Sequence, residues 1–155
     1  MKTQAIPKDY QHTSPAGAEV RLLMNNQYGG MAHCTLKANI ISKAVRHKTV
    51  SEFWYILSGK GQIWRKTANS DSITDLTPGI SIDIPLGTDF QYCSSDVDLV
   101  FICITMPPWS GADNVMKYIY DGRIFSKETA TEKLNGFVQH WEKHGFGITK
   151  MHLCY

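Results

Sequence analysis

The sequence predicts an all-β domain followed by one amphipathic helix, and three observations predict it. From Glu19 to Thr105, short apolar, β-branched and aromatic runs alternate with turn residues at the spacing of a β-sandwich or barrel. Met106, Pro107, Pro108 and Trp109 then stop the pattern, because two successive prolines cannot donate to a sheet ladder. Beyond them Leu134, Phe137, Val138 and Trp141 recur at i, i+3, i+4 and i+7, the period of a helix that buries one face. The 155 residues suit one domain, long enough to bury a continuous core without staples.

Residues 1–18, with Pro7, Pro15 and Gly17, read as an extended arm, either mobile or laid over a neighbouring surface. Residues 19–109 form the expected barrel, with strands at 19–24, 31–38, 44–46, 52–57, 61–66, 72–76, 81–84, 89–93 and 98–105. Gly29 with Gly30, Gly59, Gly61, Asn69, Pro78 with Gly79, and Leu86 with Gly87 punctuate them as hairpin turns. Residues 110–155 are a C-terminal extension. In it Thr129 and Glu132 have the spacing of a capping box, and Gly145 is a natural stop, so the helix is expected over 130–144. The last residues, 148–155, suit either a short strand or a docked tail.

Composition excludes several function classes. Sixteen Lys and Arg stand against 14 Asp and Glu without a basic run, which gives no electrostatic case for nucleic acid. Cys34, Cys93, Cys103 and Cys154 are too widely spaced for a zinc knuckle or redox pair and read as reduced thiols. No stretch approaches the roughly 18 apolar residues of a membrane span, and the first residues lack a secretion signal's apolar run. A cytoplasmic protein is therefore expected.

Two motifs bear on chemistry. The first reads Val45-x-His47-(x)4-Glu52-(x)6-Gly59, the second Gly79-(x)5-Pro85-x-Gly87-x-x-Phe90-(x)3-Ser94. Together they resemble the paired signature of the cupin family, Gly-(x)5-His-x-His-(x)3 or 4-Glu-(x)6-Gly and Gly-(x)5-Pro-x-Gly-x-x-His-(x)3-Asn. The run from Ala44 through Tyr55, with Met106 to Trp109, is similar to small single-domain bacterial cupins of the RmlC-like jelly-roll type. The resemblance implies a double-stranded β-helix, that is a jelly-roll barrel, over residues 19–109. It also implies an interior site where three His and one Glu hold Fe, Mn, Ni, Cu or Zn. Here the metal-binding motif is degenerate, since Val45 cannot ligate and Phe90 replaces an imidazole with an apolar ring. The expectation is therefore no cofactor, or a weakly held divalent metal on His47 and Glu52, joined by His33 if that side chain faces inward.

Strand alternation puts Trp54 on the face of Glu52 and Tyr92 on the face of Phe90. The expected pocket thus holds His47 and Glu52 among Val45, Trp54, Phe90 and Tyr92, an apolar and aromatic wall with a few convergent polar groups. Small barrels are also often packed solid, which would make Trp54 and Phe90 simple filling. A buried His beside a carboxylate suits general acid/base work near neutral pH, with Tyr92 as a proton donor on the opposite face. Three functions follow as expectations. One is a small-molecule-binding cupin with isomerase, epimerase or lyase chemistry on His47, Glu52 and Tyr92. The second is a divalent-metal-dependent isomerase or dioxygenase, and the third a non-catalytic ligand-binding or sensory module. A small-molecule partner and a homodimer are expected, the latter through the arm and the helix. His140 and His144, one helical turn apart, together with His152 and Cys154, are better read as surface or interface residues than as a metal site.

Overall fold

A computed structural model describes residues 1–109; the expected helix at 130–144, its histidines, Cys154 and the rest of the extension lie outside the described residues. Ten strands follow in order: β1 His12–Thr13, β2 Glu19–Asn25, β3 Gly30–Leu36, β4 Val45–Arg46, β5 Ser51–Ser58, β6 Gly61–Lys66, β7 Asp71–Leu76, β8 Ser81–Ile84, β9 Asp89–Ser94 and β10 Leu99–Met106. They form a six-stranded sheet, β1-β2-β3-β10-β5-β8, and a four-stranded sheet, β4-β9-β6-β7. All pairings are antiparallel. No helix among the described residues is long and apolar enough to cross a membrane.

Alternation along the central strand fixes which side of the large sheet is the core. In β10, Leu99, Phe101, Cys103 and Thr105 are buried while the residues between them are half-buried. Register places Leu36, Cys34, Ala32 and Gly30 of β3 opposite that inward set. In β5 the inward residues are Glu52, Trp54 and Ile56, whereas Phe53, Tyr55 and Leu57 are exposed on the outer face. The small sheet contributes Ile63, Leu76, Phe90 and Tyr92 from its facing side. Each such aliphatic or aromatic side chain stabilises the fold by about 1.5–3 kcal/mol on burial, and this term selects the register over a one-residue slip.

Local chemistry explains where the observed strands depart from those expected. The strand expected over 31–38 stops at Leu36, because the Ala38 N–H donates to Asp98 Oδ1 at 2.9 Å and Asn39 turns into the left-handed region at φ 58°. The β2–β3 hairpin is held by Asn26, whose Oδ1 accepts from the N–H groups of Tyr28 at 2.8 Å and Gly29 at 3.1 Å. The chain ahead of β2 lies on its own barrel. His12 and Thr13 pair with Val20 and Glu19, and a tight turn then brings Ser14 N to Ala18 O at 2.7 Å. Ala16 O accepts from Lys43 N at 3.0 Å, and both Ala16 and Ala18 are buried.

Candidate functional site

β4 and the residues after it deliver Val45 and His47, while β5 delivers Glu52 and Trp54. The second motif holds the first in place. In the turn after β8, Gly87, at φ 81°, donates its N–H to His47 O at 3.0 Å, and the Leu86 N–H donates to Ser51 Oγ at 3.1 Å. Glycine is favoured at Gly87 because an L side chain rarely adopts that φ. The backbone of His47 is thus set by a turn that lies 40 residues further along the chain.

The side chains converge on the Glu52 carboxylate. His47 Nε2 lies 3.1 Å from Glu52 Oε1, each side chain being 10% exposed. Trp54 Nε1–H donates to Glu52 Oε2 at 2.8 Å. Burial, then the charge of the neighbouring Glu52 carboxylate, pushes the Cys103 thiol well above the ordinary range. Oε2 thus accepts from the Trp54 indole while Oε1 faces His47 Nε2 in an ion-pair contact, and together these offset the cost of burying a carboxylate. The 3.1 Å contact of Nε2 with a carboxylate oxygen favours the Nε2–H tautomer of a neutral His47 and leaves Nδ1 as its acceptor. Nδ1 has no hydrogen-bond partner among the described residues.

Trp54, Phe90, Tyr92 and Phe101 form a continuous aromatic wall around this pair. Trp54 stacks on Phe101 at 4.2 Å and meets Tyr92 and Phe90 edge-on at 4.8 and 5.9 Å. Phe90 lies 5.2 Å from the His47 ring. Burial, reinforced by Cys34 and Glu52, raises the Tyr92 phenol well above its ordinary range, against a hydrogen bond with Ser14 that works the other way. Tyr92 is thus a protonated hydrogen-bonding group at neutral pH.

The aromatic packing does not fill the barrel. A cavity of about 160 Å³ remains, bordered by Val45, His47, Glu52, Trp54, Phe90 and Tyr92 together with Phe101, Cys103 and Thr105 of β10. The arm from Ser14 to Ala18 and Trp109 also line it. Trp109 is held there by its N–H on Thr105 Oγ1 at 3.0 Å and by an edge contact with His12 at 5.3 Å. Six of the seven residues picked out by the motifs and by strand alternation therefore share one cavity. The seventh, His33, is not among them. In β3 it alternates with Ala32 and Cys34, which line the cavity, and its register partners Arg21 and Ile102 share the outer face. Burial, then the Arg21 charge, lowers its imidazole pKa.

A metal centre of the kind the motif implies finds no cage among the described residues. Two of the four ligand positions are Val45 and Phe90, which sit directly opposite one another across the β4–β9 ladder. His33 points away, and Glu52 is engaged on both oxygens. Among the described residues no three His, Cys, Asp or Glu side chains come together as a metal-ligating group. The described residues do not fit the metal.

Sequence reasoning missed the β10 wall and the arm. The alternation of Leu99, Phe101, Cys103 and Thr105 carries the signal for the first. For the second, Pro15 and Gly17 mark an extended arm, but nothing local in Ser14 to Ala18 signals that it borders the cavity.

No family model matches the chain, and no curated protein matches its sequence. Solved structures do resemble it. KdgF from Halomonas sp. superposes with a TM-score of 0.59 at 12% identity, over 70% of this chain and 97% of that one. The cupin domain of Schizosaccharomyces pombe Cnp3 gives 0.53 at 10% identity, over 58% of this chain and 61% of the other. Bacillus subtilis oxalate decarboxylase, a protein described with Mn(II) centres, gives 0.57 at 16% identity, over 68% of this chain but only 29% of the larger protein. Likeness at such identities carries the architecture and not the activity. The two-sheet barrel built around His47 and Glu52 is a cupin fold.

Proposed function

We propose that the barrel binds a small molecule in the cavity beside His47 and acts on it by acid/base chemistry of the isomerase, epimerase or lyase type. The observation that carries this reading is the chain Trp54 Nε1–H to Glu52 to His47 Nε2, with distances of 2.8 and 3.1 Å. A carboxylate so placed fixes the imidazole's tautomer and stabilises the imidazolium, and this turns Nδ1 into an oriented base. Nδ1 takes a proton from the substrate and, as an imidazolium, returns it at a neighbouring atom or the opposite face. Tyr92, kept protonated by its burial, supplies a hydrogen bond from the aromatic wall to the oxygen on which charge develops. Glu52 does not touch the substrate in this scheme; it is a positioning residue.

The oxalate decarboxylase of similar fold is described with Mn(II) centres, and a divalent-metal reading of His47 and Glu52 is the competitor. Metal content and copurified ligand, read together on purified protein by elemental analysis and native mass spectrometry, separate the two. We expect a small organic ligand without stoichiometric metal, and turnover of hydroxy or keto compounds that falls about 10²- to 10⁴-fold in His47→Ala. One metal per chain, lost in His47→Ala, would overturn the acid/base reading in favour of the metal. Ligand binding unaccompanied by turnover would leave a binding module.

A further inference from the structure

We propose that the molecule taken by this cavity is uncharged and largely apolar, about one ring in size, and presents a single O–H or N–H donor to Nδ1 of His47. The inference rests on the small-molecule reading above and adds the ligand's chemical class. Charge is the first ground. Among the described residues no Lys or Arg lines the cavity, and the one carboxylate that does is Glu52. A carboxylate or phosphate ligand would leave water with no fixed cation to meet it, His47 already facing Glu52, and would sit beside a like charge.

Hydrogen-bonding capacity is the second ground. Glu52 accepts from Trp54 and is ion-paired with His47, and Thr105 Oγ1 accepts from Trp109. Ser14 Oγ accepts from the N–H groups of Gly17 and Ala18 at 3.2 and 3.0 Å. These acceptor oxygens are thus used within the chain, Tyr92 keeps its hydroxyl for one ligand oxygen, and Asn25 stands exposed at the rim. A polyhydroxylated ligand such as a sugar would leave most of its hydroxyls unpaired against apolar walls, while a ligand with one donor is satisfied by Nδ1. Size is the third ground. A cavity of about 160 Å³ matches the roughly 150 Å³ of an apolar protein cavity that admits benzene.

Calorimetric titration of the full chain with four probes tests the class: 4-methylphenol, toluene, 4-methylbenzoate and glucose. We expect 4-methylphenol to bind, toluene to bind about 10-fold more weakly for want of a donor, and 4-methylbenzoate to bind at least about 100-fold more weakly. Glucose should give no heat. His47→Phe should abolish the advantage of 4-methylphenol over toluene, a readout that a merely structural histidine would not move. Ala32→Phe, or Leu22→Trp at the more exposed edge should the first not fold, should block the cavity and remove all binding. Equal or tighter binding of 4-methylbenzoate or glucose would overturn the class yet leave the small-molecule reading in place. Binding that survives both blocking variants would place the probes elsewhere and overturn the inference, as would failure of all four to bind. In each case the turnover assay with His47→Ala judges the acid/base reading separately.

Discussion

Glu52 shows how one residue's role depends on what its neighbours donate. The motif spacing made its partnership with His47 legible, because burying both without mutual satisfaction is costly. The indole bond from Trp54 was less so. Alternation places residues 52 and 54 on one face, but the side chain at 54 must reach back along its own strand to make the contact. The role of Glu52 as an acceptor with both oxygens engaged implies a sharp response to Glu52→Gln. The amide offers one acceptor and one NH₂, so at least one of the donors on Glu52 would face another donor. Losing charged-acceptor bonds of this kind costs about 1–3 kcal/mol each. We expect urea midpoints to report a loss of that size, and long-range ¹⁵N spectra to show His47 changing from a single Nε2–H tautomer to a mixture. Trp54→Phe, which keeps the ring and removes only the N–H, should lose stability while leaving the tautomer in place. A single unchanged tautomer in Glu52→Gln would remove the positioning role assigned to the carboxylate.

At the scale of the element, the β4–β9 ladder concentrates what separates this barrel from the metal-binding pattern. Its two register pairs are Val45 with Phe90 facing the cavity and Arg46 with Asp89 on the other side, the latter joined by bonds of 2.7 and 2.6 Å. Cross-strand neighbours are the unit that stabilises a sheet, so the two missing ligands form one matched apolar pair. The sequence showed each substitution separately; their contact became visible only with the register. By contrast β1 gave no signal at all, since two polar residues pair with β2 only because the chain returns over the barrel. If the scaffold is otherwise that of a metal-binding cupin, returning both imidazoles restores the donor set. We expect Val45→His with Phe90→His to bind one divalent transition metal per chain by elemental analysis, and either single variant to bind substantially less. The double variant also demands that Glu52 release Trp54, so adding Trp54→Phe should tighten the metal. A folded triple variant without metal would show that the scaffold has drifted in more than these side chains.

Across the whole barrel, the strands and turns were legible because they rest on local periodicity and on glycine and proline. The cavity was legible only in part: motif spacing and strand alternation bring together its β4, β5 and β9 residues, while the walls from the arm, β2, β3 and β10 follow from no local pattern. That convergence carries a consequence for stability. Cys34, Cys103 and Tyr92 all lie buried in one region near Glu52, and for each, burial is the main cause and the Glu52 charge a further one for a pKa raised above the ordinary value. A group whose folded pKa exceeds its unfolded pKa adds stability that is fully present below the unfolded value and is lost as pH rises toward the folded one. The unfolded thiols titrate near 9.0 and the phenol near 10.0. Above those values the unfolded chain releases protons that the folded chain keeps. Each group then contributes a slope of about 1.4 kcal/mol per pH unit against folding. Urea unfolding under reducing conditions should therefore show stability level up to about pH 8.5. It should then fall by roughly 3 kcal/mol per unit with two thiols titrating, and more steeply once the phenol joins. Cys103→Ser retains a donor near Glu52 but does not titrate, and should lessen the slope by about 1.4 kcal/mol per pH unit. A slope unchanged in Cys103→Ser would mean that its thiol ionises in the folded barrel, and that the cavity beside Glu52 is far better hydrated than its apolar walls imply.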